Sequence, residues 1–178
     1  VGDEGIGALD CSDAFPGNAF RQFQYVARRL QRQGVLLALA SRNADESVVQ
    51  AFEQLDGMVL RLDDVATRRV NWGPKPGNIA DIARELNLGL DSFVFVDDSH
   101  HELASVCAEL PAVRCLQVPE DLELLPQLLA DSGLFRHLSV TADDRERSVR
   151  VHQEAGRVAA SGSMSHDEFL ASLDLRLR

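Results

Sequence analysis

Three short stretches of this sequence hold residue types that together suit phosphate chemistry. Ser41 follows the apolar run "VLLALA" and precedes a helix-forming segment. Lys75 lies in "GPKPGN", just ahead of another helical pattern, and Asp97-Asp98 close the apolar run "SFVFV". A hydroxyl beside the free N–H groups of a helix start attracts an anion. An ammonium neutralises phosphoryl oxygens as a compact point charge. Two carboxylates at a strand end suit a hard cation such as Mg2+, which keeps several waters and links protein oxygens to phosphate. A metal also gives a reason for ending a buried strand on two charges. Ordinary roles compete at each position: Ser41 as a turn residue, Asp98 or Ser99 as a helix N-cap. His100 and His101 read first as surface residues of a helical turn and only second as metal ligands. The order of the three features, each at the end of a strand, favours the chemical reading.

The elements that must position these residues alternate along the chain. Between Pro16 and Gln33 the apolar positions Phe20, Phe23, Val26, Ala27 and Leu30 share one helical face, and Gly34 ends the helix. "VLLALA" (35–40) reads as a continuous buried strand. Asn43 with Glu46 three residues on resembles a capping box and opens a helix running to Leu55. After Gly57, "MVLRL" reads as a short strand, and the following segment as a loop with a short strand around Arg69–Trp72. A helix from Gly77 turns Ile79, Ile82, Ala83 and Leu86 inward. "SFVFV" is a buried strand, His100–Leu110 a helix, "VRCLQV" a strand, and "EDLELLPQLLAD" a helix disturbed by Pro126. Continuous apolar strands alternating with amphipathic helices predict an α/β fold, a parallel sheet with helices on both faces. Such sheets bind ligands at the carboxyl ends of their strands, where Ser41, Lys75 and the aspartates fall.

This unit spans residues 1–133. Beyond it the texture changes: a charged helix opened by Thr141, the linker "SGSMS", a helix opened by Ser165, and a strictly alternating "LDLRLR". Residues 134–178 thus read as a helical extension leading into a further domain. Val1 in place of Met suggests that the native start lies upstream.

Composition narrows the partners. The 178 residues carry a formal charge of −10 with no basic block, which argues against nucleic acid. No apolar run approaches the roughly 18–20 residues of a membrane span, and no signal peptide is visible. Cys11, Cys107 and Cys115 have no metal-ligand spacing, so a reduced, cytoplasmic setting is the expectation. Of the 18 basic residues only Lys75 is lysine, which makes its position informative.

The segments "GVLLALASRNADESVVQAF", "MVLRLDDVATRRVNWGPKPGNI" and "ELNLGLDSFVFVDDSHHE" closely resemble the FkbH-type branch of the haloacid dehalogenase superfamily, whose members lack a large cap domain. The resemblance covers nearly the whole chain. It implies that Ser41 is the hydroxyl after the second core strand, Lys75 the lysine before a helix, and Asp97 and Asp98 the acidic pair holding Mg2+. Ser41, Arg42, Asn43 and Lys75 would meet a small phosphorylated substrate, and Asn71-Trp72 match positions typical of the branch. Relatives of this type take a glyceryl unit from 1,3-bisphosphoglycerate, remove phosphate and load the acyl group onto an acyl carrier protein in polyketide-type biosynthesis.

Two departures qualify what the resemblance implies. The nucleophile motif of the superfamily, Asp-x-Asp-x-Thr on the first core strand, is expected about ten residues before Val1 and is not in this sequence. Without it the chain is expected to be inert towards phosphate esters, with the first core strand of the sheet also absent. Second, the cysteine that often precedes the motif serine is replaced by Ala40; Cys11, placed by the resemblance near the mouth of the site, is the remaining candidate for an acyl thioester. Two other readings therefore stand beside the transferase: an inactive binding module that docks a carrier protein, and a simple small-molecule phosphatase.

Overall fold

The computed structural model describes residues 11–136. Helix α1 (Gly17–Arg32) leads into strand β1 (Leu37–Ser41), followed by α2 (Asp45–Gln54), β2 (Val65–Val70), α3 (Lys75–Glu85), β3 (Val94–Asp97), α4 (His100–Glu109), β4 (Arg114–Gln117) and a short α5 (Leu128–Asp131). Both strand pairings, β1 with β2 and β3 with β4, are parallel. This is the alternating parallel α/β architecture that the apolar patterning predicts. The predicted helices after Thr141 and Ser165 and the terminal "LDLRLR" lie outside the described residues. No helix among the described residues is long and apolar enough to cross a membrane.

Helix α3 follows its pattern closely. Ile79, Ile82, Ala83 and Leu86 are all buried. Ile82 and Leu86 pack with Ala66 of β2, and Ile79 packs with Val106 of α4 and Val113. Burying each such side chain contributes roughly 1.5–3 kcal/mol. α3 thereby ties the two strand pairs to one helical layer. Pro126 has the predicted effect on the last helix: residues Leu122–Gln127 wind as a 3-10 helix before α5 takes over. A proline ring clashes with the carbonyl four residues back and donates no bond, so an α-helix does not run through it.

Two assignments need correction. The second strand is not "MVLRL" but Val65–Val70, which overlaps the short strand expected around Arg69–Trp72 and begins four residues before it. The reason lies in α1. Gln24 Oε1 accepts hydrogen bonds from the backbone N–H of Val59 and Leu60, at 3.0 and 3.1 Å, and Arg28 donates to the Val59 carbonyl. Side chains from a helix satisfy this segment's backbone, leaving it no ladder to join. The second correction concerns α1 itself. The buried face of α1 is Gly17, Ala19, Gln24 and Ala27, while Phe20, assigned to the core face, is exposed.

Among the described residues the sheet is in two halves. Successive residues of a strand turn their peptide groups to opposite edges. Ser41 accepts from Asn71 N–H on the β2 side, so Ala38 and Ala40 present theirs on the opposite edge of β1. Phe93 and Asp97 accept from Arg114 and Val118 on the β4 side, so Val94 and Val96 turn away from β4. β1 and β3 are accordingly half-buried, where their continuous apolar sequences predict burial on both faces. Lys75 links the two halves at their carboxyl ends: its Nζ donates to the Ala40 carbonyl and pairs with Asp97 Oδ2 at 3.3 Å.

Candidate active site

The three sequence features do converge, and Lys75 is their centre. It is the first residue of α3, set after Pro74 and before Pro76, which suit the start of a helix where N–H groups have no intrahelical partner. The residue is 7% exposed. Besides Ala40 and Asp97, its ammonium lies 5.7 Å from the centre of the Phe95 ring. An ammonium so buried is stable only when paired and hydrogen-bonded, and here each requirement has a named partner.

Ser41 closes β1 and is half-buried; Arg42 and Asn43 make the turn into α2. Asn43 is buried, and its Oδ1 accepts from Ala44 N–H at 2.8 Å. The capping box expected at Asn43 and Glu46 is not formed: α2 begins at Asp45 after Ala44, with no side-chain cap. Arg42 reaches across to α4, its Nη1 lying 2.9 Å from Glu102 Oε1. The loop before Lys75 is fixed by a reciprocal amide pair. Asn71 Nδ2 donates to Asn78 Oδ1 at 3.1 Å, Asn78 Nδ2 returns the bond at 2.9 Å, and Asn71 Oδ1 also accepts from Gly73 N–H. Trp72 stands out from this loop, 74% exposed.

The two aspartates do different things. Asp97 is committed, with Oδ2 on Lys75 and Oδ1 accepting from Ser99 N–H at 2.9 Å. Ser99, and not Asp98, is the N-cap of α4, accepting from Glu102 N–H at 3.3 Å. Asp98 is exposed; its backbone carbonyl accepts from Gln117 Nε2 at 2.7 Å, which pins the residue to the end of β4. Its carboxylate is therefore the available one. Gln117 Oε1 is buried with no hydrogen-bond partner among the described residues, an acceptor that water around a cation would satisfy. These oxygens fit a hard, hydrated ion. They do not complete a site: among the described residues no group of three or more His, Cys, Asp or Glu side chains could hold a metal. His100 and His101 are exposed on the first turn of α4.

Cys11 is not part of this cluster. It is buried beside Gln24, whose Nε2 donates to its Sγ at 3.3 Å, and its carbonyl oxygen fills the space a side chain at position 57 would need. Gly57 has φ +82°, a conformation that only glycine adopts at little cost. It follows α2, which runs back from the Ser41 end, so Cys11 sits towards the amino ends of the strands. A cavity of about 370 Å³ lies there, lined by Cys11, Arg21, Asp56 and Gly57 among others. Its arginine is already paired with Asp13. On α4 and β4, burial and the neighbouring Cys107 push the Cys115 thiol up to about 12. Alkylation with iodoacetamide at pH 8 is expected to modify exposed Cys107 and spare Cys115 and Cys11. Peptide mapping that found Cys115 modified as fast as Cys107 would contradict the packing of α4 on β4.

Sequence reasoning missed Glu102, the buried partner of Arg42. Ser99-x-x-Glu102 reads as a capping box, but the Ser99 N–H goes to Asp97 and the Glu102 carboxylate to Arg42, a partner no local pattern signals.

No protein-family model matches the chain, and no curated protein matches it. The chain is similar to a solved structure, the crystal structure of the N-terminal part of the protein BF1531 from Bacteroides fragilis, containing a phosphatase domain complexed with Mg. The likeness has a TM-score of 0.73 and 36% identity over 78% of this chain. The chain spans 37% of the length of that solved chain. The fold is that of a phosphatase-containing structure.

Proposed function

We propose that this chain is the Mg2+-dependent phosphoryl-transfer unit of a haloacid dehalogenase-type enzyme of the capless FkbH branch. The observation that carries the reading is the Lys75 ammonium, which joins the carboxyl ends of β1 and β3 through the Ala40 carbonyl and the Asp97 carboxylate, beside Ser41 and Asp98 in sequence. A strand lying between β1 and β3 would deliver its own last residues to the Lys75 ammonium. An aspartate there is the nucleophile in this reading, and a second, two residues on, is the general acid/base. Lys75 holds a phosphoryl oxygen in place and offsets the charge that grows on it during transfer. The Ser41 hydroxyl donates to a second oxygen, and Phe95 keeps water from the inner side of the ammonium. Asp98 would hold Mg2+, which when bound adds further positive charge at the phosphoryl oxygens. The Mg2+-bound phosphatase domain of the similar structure supports the same chemistry.

In the fuller form of the proposal, the substrate is a phosphoglyceryl compound such as 1,3-bisphosphoglycerate, and the acyl group passes to an acyl carrier protein in the cytosol. The described residues support the phosphatase half more than the acyl half. Ala40 offers Lys75 a carbonyl and no thiol, and Cys11 lies towards the other end of the strands. The full-length protein is expected to release phosphate from a phosphoglyceryl substrate only with Mg2+ present. Intact-mass measurement of the carrier protein then separates transfer from simple hydrolysis. Carrier binding without Mg2+-dependent phosphate release would replace the enzyme by a docking module.

A further inference from the structure

Two of the cysteines stand on elements that pack against each other, α4 and β4. The face of α4 turned to the sheet is marked by Leu103 and Val106, both buried, and by Leu110 just beyond the helix, which packs with Val106. Cys107 follows Leu103 by one helical turn, so it stands at the edge of that face, and it is exposed to solvent. Along β4 successive side chains alternate between the two faces of the sheet. Val113 is buried in one cluster with Val106, and Cys115, two residues on, turns to the same face and packs against that cluster with Phe95, its register partner on β3. The connection between the cysteines is tight: the Val113 N–H donates to the Leu110 carbonyl at 2.9 Å, which brings the strand back under the helix before it. The two thiols are neighbours at this seam, where burial and Cys107 together keep the proton on Cys115.

Phosphoryl transfer has no use for either cysteine, and each has what the other lacks. Cys107 is open to a small oxidant; Cys115 is sheltered but within reach of Cys107. A buried thiol alone is inert. An exposed thiol alone is oxidised onward to acids that do not revert. Side by side, the first oxidation product of one is captured by the other as a disulfide before it goes further. In a reducing compartment such a bond is transient and serves as a redox response rather than as a permanent brace.

We propose that Cys107 and Cys115 are a peroxide-sensitive pair that closes to a reversible intramolecular disulfide, with Cys107 oxidised first and Cys115 resolving it. The Cys107 sulfur attacks one oxygen of hydrogen peroxide: an S–O bond forms, the O–O bond breaks, and the departing hydroxide takes up the thiol proton as water. The Cys115 sulfur then attacks the Cys107 sulfenic acid. The S–S bond forms, the S–O bond breaks, and the hydroxyl leaves with the Cys115 proton as a second water. The two thiols together lose two electrons, which the peroxide gains. A small dithiol returns the pair to its reduced state by exchange. When closed, the bond ties together the two elements that hold Asp98: α4 begins just after it, and Gln117, next after Cys115 on the same face of β4, donates to its carbonyl. Nothing in this chemistry depends on the phosphatase reading.

The test uses the full-length protein, reduced, freed of reductant and exposed to hydrogen peroxide, after which the remaining free thiols are blocked with N-ethylmaleimide. Trypsin cuts after Arg84, Arg114 and Arg136, so Cys107 and Cys115 fall in separate peptides, 85–114 and 115–136. The expected product is those two peptides joined, two hydrogens lighter than their sum, in a yield independent of protein concentration and lost on adding dithiothreitol. Cys115→Ser is expected to leave Cys107 as a sulfenic acid that dimedone traps. Cys107→Ser is expected to slow the loss of free Cys115 by about tenfold or more, because the sheltered thiol carries little thiolate. Peptide mapping of the wild type needs no variant, so it decides the matter even where a serine variant fails to fold. Three results overturn the proposal: no linked peptide in the peroxide-treated wild type, whether Cys107 stays reduced or becomes a sulfinic or sulfonic acid; a link that forms only between molecules; or oxidation of Cys115 in Cys107→Ser at the wild-type rate.

Discussion

Lys75→Met is expected to lower the free energy of unfolding by about 3–5 kcal/mol, the cost of leaving a buried charge without its partner. Methionine keeps the length and the apolar stem, so the packing of α3 is little disturbed. What disappears is the ammonium, and with it the partner of the Asp97 carboxylate and of the Ala40 carbonyl. The pair is screened little by solvent, the two side chains being 8% and 11% exposed. A surface lysine in a similar ion pair would cost about 0–1 kcal/mol, so the two cases separate clearly. Urea denaturation of the wild type and variant decides between them, provided the slope of the transition is unchanged. Adding Asp97→Asn to Lys75→Met is expected to recover a large part of the loss, because a neutral amide no longer needs the cation. A midpoint for Lys75→Met close to wild type would mean that the ammonium is not the link between β1 and β3. If the proposed mechanism holds, phosphate release by the full-length variant is expected to fall by about 100-fold or more, because the proposed donor to the transferring group is removed.

The features legible in the sequence were those carried by local pattern. α3 announced itself through Ile79, Ile82, Ala83 and Leu86 at helical spacing, and its core side is the predicted one. Lys75 was conspicuous as the only lysine, and a charge between two prolines at a helix start has few bland reasons to be there. Pro126 broke its helix because the clash is local. Ser99 and Asp98 could not be told apart as N-caps from sequence, since both side chains have the required oxygen. Only the bond from Glu102 N–H decides for Ser99 and leaves the Asp98 carboxylate available.

The features that were missed depend on partners distant in sequence. "MVLRL" is apolar enough for a strand, but Gln24, 35 residues away from Val59, takes its backbone N–H. Nothing local distinguishes a glutamine that faces solvent from one that replaces a ladder. On α1 Gln24 is buried while Phe20, one turn earlier on the same face, is exposed, contrary to a reading by hydrophobicity alone. β2 was legible only at its end. The short strand expected around Arg69–Trp72 overlaps it at Arg69 and Val70, but the four residues before read as loop until Arg68 pairs with Asp45 and Arg69 with Glu85 on neighbouring elements. The halves of the sheet were likewise unreadable as a distance. The apolar strands indicated burial on both faces, and only the Lys75 bridge shows that the carboxyl ends of β1 and β3 meet at one ammonium.

Asp98→Asn and Asp97→Asn are expected to fail in different ways, although the sequence presents the residues as a pair. Asp98 has an exposed carboxylate with no described partner and is the candidate for the cation; its neutralisation is expected to leave unfolding within about 0.5 kcal/mol of wild type. Mg2+ affinity, measured by calorimetry without substrate, is expected to weaken about tenfold or more, because Mg2+ binds few protein carboxylates and loses one of them. Asp97 is committed to Lys75 and to Ser99 N–H, so Asp97→Asn leaves a buried ammonium without its counter-charge. That variant is expected to lose about 3–5 kcal/mol of stability, and its Mg2+ affinity changes through the fold and not through a lost ligand. Stability and metal affinity thus form a two-by-two comparison. If Asp98→Asn destabilised and Asp97→Asn did not, the Lys75 partner would be the other aspartate. If both variants kept Mg2+ affinity, the cation would lie elsewhere and the strand-end oxygens would have only a structural role.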